Sequence, residues 1–279
     1  MDTTTPSTGN NRLTSASQLA LRLTEDALSY ACYDLSAETS LQFGTIPLPG
    51  RFGRNSAKEI ENVVYDTPLL LEPFSTTTVL VQAKHFAIIP DEFSENGKPD
   101  ECRRYFDFLY PDDEGMLLPD RIEDDKATIA FSMRPETVNF LNRTFSNPRI
   151  CHILSPMVRY FRTKSHSGEL HKMFAYFSGN TVEVIVLRDS RLAFANFFSF
   201  STAEDALYFI LNAWQQCGMN PDTAELTLAG DKASRKEVMP ALKKYIANVG
   251  QSIFPAKLLR WGRTALDAPF DLIVLPLCE

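Results

Sequence analysis

The four histidines and five cysteines of this 279-residue chain are its natural candidates for metal ligation or covalent chemistry, and their spacing supports neither. His166 and His171 lie five positions apart, whereas a helical metal pair needs four. Cys151 and His152 are adjacent, so on a strand they point to opposite faces and do not form a catalytic pair. His85 and the five cysteines (Cys32, Cys102, Cys151, Cys217, Cys278) are scattered without a CxxC pair, and buried reduced thiols are expected. No Walker loop, HExxH helix or GxSxG turn is present. Asp112, Asp113, Glu114, Glu123, Asp124 and Asp125 could meet a hard cation, but they lack the alternating pattern of an EF-hand and read as a solvated loop. Lys232, Arg235, Lys236, Lys243 and Lys244 gather about one helix. They read as a solvated face, with docking of an acidic partner or nucleic acid as the alternative.

Composition narrows the class further. The net charge of -7 disfavours general binding to a phosphate backbone, so nucleic acid is not an expected partner. A hydrophobic share of 44%, with 20 Phe and 9 Tyr, is enough for substantial cores. No apolar run is long enough for a membrane helix, and residues 1–17 are polar and Thr/Ser-rich, unlike a secretory signal. That segment is expected to be a disordered tail, and the protein to be cytoplasmic.

The elements that must position any site come in two similar series. Gln18 to Leu48 reads as three strands, with turns at Thr24-Glu25-Asp26 and around Ser36 to Thr39. Lys172 to Phe200 repeats the pattern, with turns at Ser178-Gly179-Asn180 and Arg188-Asp189-Ser190. A helix follows each meander: Ser56 to Asp66, with Ser56 and Glu59 at capping-box spacing, and Ser201 to Cys217, with Ser201 and Glu204 so spaced. Strand, helix and strand then complete each half. In the first these are Thr128–Met133, Pro135–Phe145 and Arg149–Leu154. In the second they are Glu225–Ala229, Ser234–Val249 and about Ile253–Leu259. Val238, Leu242, Tyr245 and Ile246 form the expected buried stripe of the last helix, whose Pro240 predicts a kink or a shifted start. An insertion at about 67–126 carries strand candidates Thr76–Gln82 and His85–Ile89 and a helix at Asp100–Leu109. The expected organisation is a first domain over 18–155, a linker helix at 156–171 and a second domain over 172–279, each half β-β-β-α-β-α-β with a mixed sheet.

That unit resembles the ribonuclease-H-like module, and two in tandem resemble the superfamily of sugar kinases, heat-shock chaperones and actins. The likeness is greatest to the bacterial actin homologues of pilus assembly and cell division, and to an uncharacterised bacterial family with an actin-like ATPase fold. It covers Gln18 to Cys278 and rests on element order. The resemblance implies three nucleotide-binding loops between the halves. The first falls on Leu23-Thr24-Glu25-Asp26-Ala27, which has no glycine. The second falls on Phe177-Ser178-Gly179-Asn180-Thr181, where Phe177 replaces an acid. The third falls on Leu226-Thr227-Leu228-Ala229-Gly230-Asp231, where Asp231 replaces one glycine of a pair. The family also closes on a helix, whereas Phe270 to Leu275 reads as a strand.

These readings converge on a non-catalytic interaction or scaffold protein, a pseudo-ATPase on a duplicated actin-like fold, with no cofactor, no metal and an unidentified protein partner. The alternative is an ATP-binding protein or weak ATPase or kinase, with Ser178, Gly179, Asn180, Gly230 and Asp231 lining the interdomain cleft. A nucleic-acid-associated accessory role using the Lys232 to Lys244 face is the third reading.

Overall fold

The computed structural model describes residues 17–34, 41–50, 56–94, 97–165, 171–252 and 254–278. Residues 1–16 of the expected tail, the turn at Ser36 to Thr39, and His166 lie outside the described residues, whereas Ser17 opens the first strand. β1 (Ser17–Leu23), β2 (Ala27–Asp34) and β3 (Leu41–Pro47) form the first antiparallel meander, and α1 (Ala57–Tyr65) follows. Ser56 caps α1 by accepting from the Glu59 amide at 3.2 Å. Next come β4 (Thr76–Val81), β5 (Phe86–Pro90), α2 (Pro99–Leu109), β6 (Met116–Ile122) and β7 (Ala127–Met133). α3 (Pro135–Thr144), with Pro135 in its first turn, leads into β8 (Arg149–His152). α4 (Leu154–Thr163) crosses to the second half.

There β9 (Lys172–Ser178), β10 (Thr181–Arg188) and β11 (Arg191–Ser199) repeat the meander. Asp189 and Ser190 both have positive φ, as a two-residue hairpin following strand twist requires. α5 (Ala203–Gln216), β12 (Glu225–Gly230), α6 (Lys232–Leu242), β13 (Asn248–Gln251) and α7 (Phe270–Val274) complete the chain. α5 ends at Gly218, with the amides of Gly218 and Met219 donating back to Gln215 and Trp214. The two large sheets have orders β3-β2-β1-β4-β8 and β11-β10-β9-β12-β13. In each, the first strand pairs antiparallel with the second and parallel with the fourth. This is a duplicated ribonuclease-H-like fold.

Several elements depart from the sequence reading. The fourth strand of the first sheet is Thr76–Val81, and Thr128–Met133 instead lies within β7, the middle strand of a separate sheet β5-β7-β6. The inserted sheet thus runs from Phe86 to Met133 and not over 67–126. Two strands of similar apolar pattern competed for one slot, and pairing with β1 decided it. Thr202 and Asp205, one residue on from Ser201 and Glu204, form the α5 capping box. α6 starts at Lys232 on an Asp231 cap, so Ser234 and Glu237 make no box, and Tyr245 is exposed. The linker helix is Leu154–Thr163. The last strand is Asn248–Gln251, while Ala256–Trp261 is a 3₁₀ turn. Phe270–Val274 is helical and Leu275 begins a 3₁₀ turn, where the sequence reads as a strand.

Strand alternation sorts the core into layers. Leu19, Leu21 and Leu23 pack against α1 and α3, and Met173, Ala175 and Phe177 pack against α5 and α6. The opposite faces, with Ala20, Ala31 and Leu80 on one sheet and Phe174, Tyr176 and Ile185 on the other, share a single cluster with α4 and α7. Phe161 of α4 stacks on Phe174 at 4.4 Å between ring centroids. Burial of each such side chain contributes roughly 1.5–3 kcal/mol.

The same alternation puts Arg22 and Glu183 on these inner faces. Arg22 Nε donates to Asp271 Oδ2 at 2.5 Å, and both groups are buried. Burial opposes the Arg22 charge, but Asp271 and Glu183 outweigh it and raise its pKa. Glu183 has no hydrogen-bond partner on either carboxylate oxygen. Burial first, and then the Asp271 charge, push its pKa from 4.5 up to about 8 despite Arg22. The unfolded chain ionises Glu183 above about pH 4.5 while the folded chain keeps its proton to about 8. Its contribution to stability is therefore full below pH 4.5 and lost as pH rises to 8. Glu183→Gln is expected to flatten the fall in melting temperature between pH 5 and 8.5 relative to wild type. Parallel melting curves for the two proteins would refute this.

Candidate functional site

The five residues that sequence reasoning assigned to a nucleotide do meet, at one end of the second sheet. β9 and β12 run parallel, pairing Gly230 with Phe177, and the Asp231 amide donates to the Phe177 carbonyl at 2.9 Å. Ser178, Gly179 and Asn180 turn directly beyond that pair. Gly179 has φ of 57° at the first position of a two-residue hairpin loop, and a Cβ there would meet nothing within 4 Å. The hairpin accounts for this glycine.

Gly230 is there for a different reason. Its φ is 83°, and a Cβ would lie 2.0 Å from the Phe177 carbonyl oxygen. The close approach of β9 and β12 demands glycine whether or not a ligand is present. Asp231 then caps α6. Its Oδ1 accepts from the Ser234 amide at 2.8 Å and from Ser234 Oγ at 2.7 Å, and these bonds hold its pKa below the usual carboxylate range. Phe177 is buried in the helix-facing core and packs edge-on against Phe200. Lys232, Lys236, Lys243 and Lys244 are exposed, a solvated face as read from sequence.

In the first half, the β1–β2 turn closes on itself. The Thr24 amide and hydroxyl both donate to the Ala27 carbonyl, and Glu25 pairs with Lys84 at 2.7 Å. This turn borders a cavity of about 480 Å³ that sequence reasoning missed. Leu23, Val81, Met133 and Phe197 give it apolar walls, Lys84, Asp112, Asp113, Glu114 and Arg134 add charge, and the His85 imidazole joins them. None of the five nucleotide candidates lines it. Within it, burial works to raise Asp113, but hydrogen bonds from His85, Ser132 and the Gly115 amide outweigh burial and depress its pKa. No local motif marks the site, because His85 and Asp113 lie 28 residues apart. Cys151 and His152 do point to opposite sides of β8, and both are buried. His152 sits among Phe86, Phe131 and Phe197, and burial lowers its pKa to about 4. The five cysteines form no disulfide with one another. Among the described residues, no helix is long and apolar enough to cross a membrane.

Residues 7–249 match the model of a family described as a protein of unknown function, DUF3822. The chain belongs to the DUF3822 family. No curated protein resembles it in sequence. Among solved structures it is similar to a protein of Bacteroides thetaiotaomicron VPI-5482 with an actin-like ATPase fold and unknown function. Identity is 22%, coverage is 95% of this chain and 97% of that one, and the TM-score is 0.78. It is also similar to a chain of the PilM–PilN type IV pilus biogenesis complex, at 11% identity, 94% and 98% coverage and a TM-score of 0.50. These likenesses establish the actin-like ATPase fold for this DUF3822 member.

Because Gly230 is fixed by Phe177, Gly230→Ala is expected to destabilise the protein by several kcal/mol in urea denaturation. Gly179→Ala, with open space around it, is expected to cost about 1 kcal/mol. Equal losses at the two positions would contradict the packing argument.

Proposed function

We propose that this protein is an interaction or scaffold protein that keeps the actin-like framework and does not hydrolyse nucleotide. The observation that carries this reading is the Asp231 carboxylate at the N-terminus of α6. A helix start beside a glycine turn is a ready anion site, because its amides point outward and its dipole favours negative charge. Here Asp231 already takes the Ser234 amide, and its own charge would repel a phosphate. The first turn adds Asp26, it has no glycine, and its Glu25 is already paired with Lys84 at 2.7 Å. The remaining glycine turns are accounted for by a hairpin and by strand contact. A protein partner is consistent with the fold's use elsewhere, since one similar structure is of the PilM–PilN complex.

Calorimetry with Mg-ATP tests the reading. Heats no larger than dilution up to about 1 mM nucleotide are expected, corresponding to binding weaker than about -4 kcal/mol. Micromolar binding that disappears in Asn180→Arg would overturn it. Asn180 is the suitable site for that substitution because it is exposed, whereas Gly230 cannot accept any side chain.

A further inference from the structure

We propose that His85 and Asp113 form an acid–base dyad serving the 480 Å³ cavity, where they hydrolyse small uncharged carboxylic esters with water as nucleophile. This goes beyond the scaffold reading and does not depend on it. His85 Nδ1 lies 2.6 Å from Asp113 Oδ2, and the imidazole side chain is half exposed while the carboxylate is buried. In the tautomer that carries its proton on Nδ1 and donates it to Asp113, Nε2 is the acceptor nitrogen. No hydrogen bond is made to Nε2 among the described residues. His85 and Asp113 both line the cavity.

The surroundings hold the pair in place. Asp113 Oδ2 also accepts from Ser132 Oγ at 2.7 Å, and Oδ1 accepts from the Gly115 amide at 2.8 Å. Arg103 grips the loop from outside, donating to the carbonyls of Asp113 and Gly115. At Gly115 a Cβ would lie 2.9 Å from both Asp113 Oδ1 and Ser132 Cβ, so only glycine lets the loop come this close. Tyr110 stacks on the imidazole at 4.5 Å, with its rings 17° apart. A surface ion pair formed by chance would not carry this supporting shell.

The cavity chemistry selects the substrate class. Its volume suits a small ligand. Ser132 donates to Asp113 and not to His85, so it is not the activated nucleophile, and water takes that role. Glu25, Asp112, Asp113 and Glu114 outnumber Lys84 and Arg134 in the lining, which disfavours phosphate esters and carboxylates, while Leu23, Val81 and Phe197 suit an uncharged acyl chain. In the reaction, His85 Nε2 takes a proton from water as the water oxygen bonds to the acyl carbon. The acyl C–O bond then breaks, and Nε2 returns the proton to the leaving alkoxide. The products are a carboxylic acid and an alcohol. Asp113 acts as a positioning residue that fixes the imidazole tautomer.

The test is hydrolysis of p-nitrophenyl acetate by the full chain, with p-nitrophenyl phosphate as the contrasting ester. Wild type is expected to exceed equimolar N-acetylhistidine on the acetate and to leave the phosphate intact. His85→Gln should lower kcat/KM by roughly 100-fold, and folded Asp113→Asn by roughly 10-fold or more. His171→Gln, outside the cavity lining, reports any contribution from surface imidazole. The ¹⁵N spectrum of His85 should show the proton on Nδ1, and Asp113→Asn should abolish that preference. The proposal fails if His85→Gln matches wild type, if His171→Gln falls equally, if wild type is no faster than N-acetylhistidine, if the phosphate is the ester cleaved, or if the proton sits on Nε2.

Discussion

A guanidinium buried between two hydrophobic sheets sets the terms on which the two halves come together. Removing Arg22 from water costs several kcal/mol, and only an ionised partner at contact distance offsets it. Asp271 supplies that partner from 249 residues away along the chain. The closing segment must therefore return to the interface and place one carboxylate against β1 while burying apolar residues on either side. A short helix does both: Asp271 meets Arg22, and Leu272, Ile273 and Val274 enter the shared core. Its amide at Phe270 also donates to the Tyr176 hydroxyl, tying the helix to the second sheet. Glu183 is the cost of this arrangement, a carboxylate drawn into the same dry space and kept neutral there.

With the halves joined on that side by α4 and α7, chemistry is left to the sheet ends, and the two ends are built differently. On the second half, backbone contact and a helix cap use the groups that a phosphate would need. Gly230 packs on Phe177, and Asp231 satisfies the start of α6. These interactions are local, and each is complete without a ligand. On the first half, the inserted sheet stands over the ends of β1 and β4 and leaves a cavity between them.

The insertion is held at that angle by a buried polar joint. Asp120 of β6 accepts from the His152 amide at 2.9 Å and from the Ser155 hydroxyl, where β8 passes into α4. Burial pushes the Asp120 carboxyl up, while the Ser155 hydrogen bond and Arg159 pull it down. His152 donates Nε2–H to the Ala83 carbonyl and accepts the Leu154 amide on Nδ1, so this fully buried ring bridges the end of β4 to the start of α4. Residues 83–85 leave β4 from this joint, and His85 is thereby directed to Asp113. The dyad's geometry follows from the anchor beneath it.

The duplication, the meanders, their described turns and most helices were legible in the sequence, because alternation, left-handed turn residues and apolar stripes are local signals. Arg188-Asp189-Ser190 and Gly218 punctuate the chain where the structure turns it. Sequence pattern alone did not decide which apolar strand joins β1, since Thr76–Val81 and Thr128–Met133 carry the same signal and only pairing separates them. Phe270–Leu275 has strand composition, but its main part is a helix, which places Asp271 against Arg22. Among the site candidates, Ser178, Gly179, Asn180, Gly230 and Asp231 meet at one end of the second sheet and line no part of the cavity. The cavity with His85 and Asp113 was invisible in sequence, because its partners come from three loops that meet only when the inserted sheet is anchored. What lies within a few residues along the chain was determined by sequence. What depends on a distant charge or a shared sheet edge was decided by tertiary structure, where desolvation and strand pairing outweigh local preference.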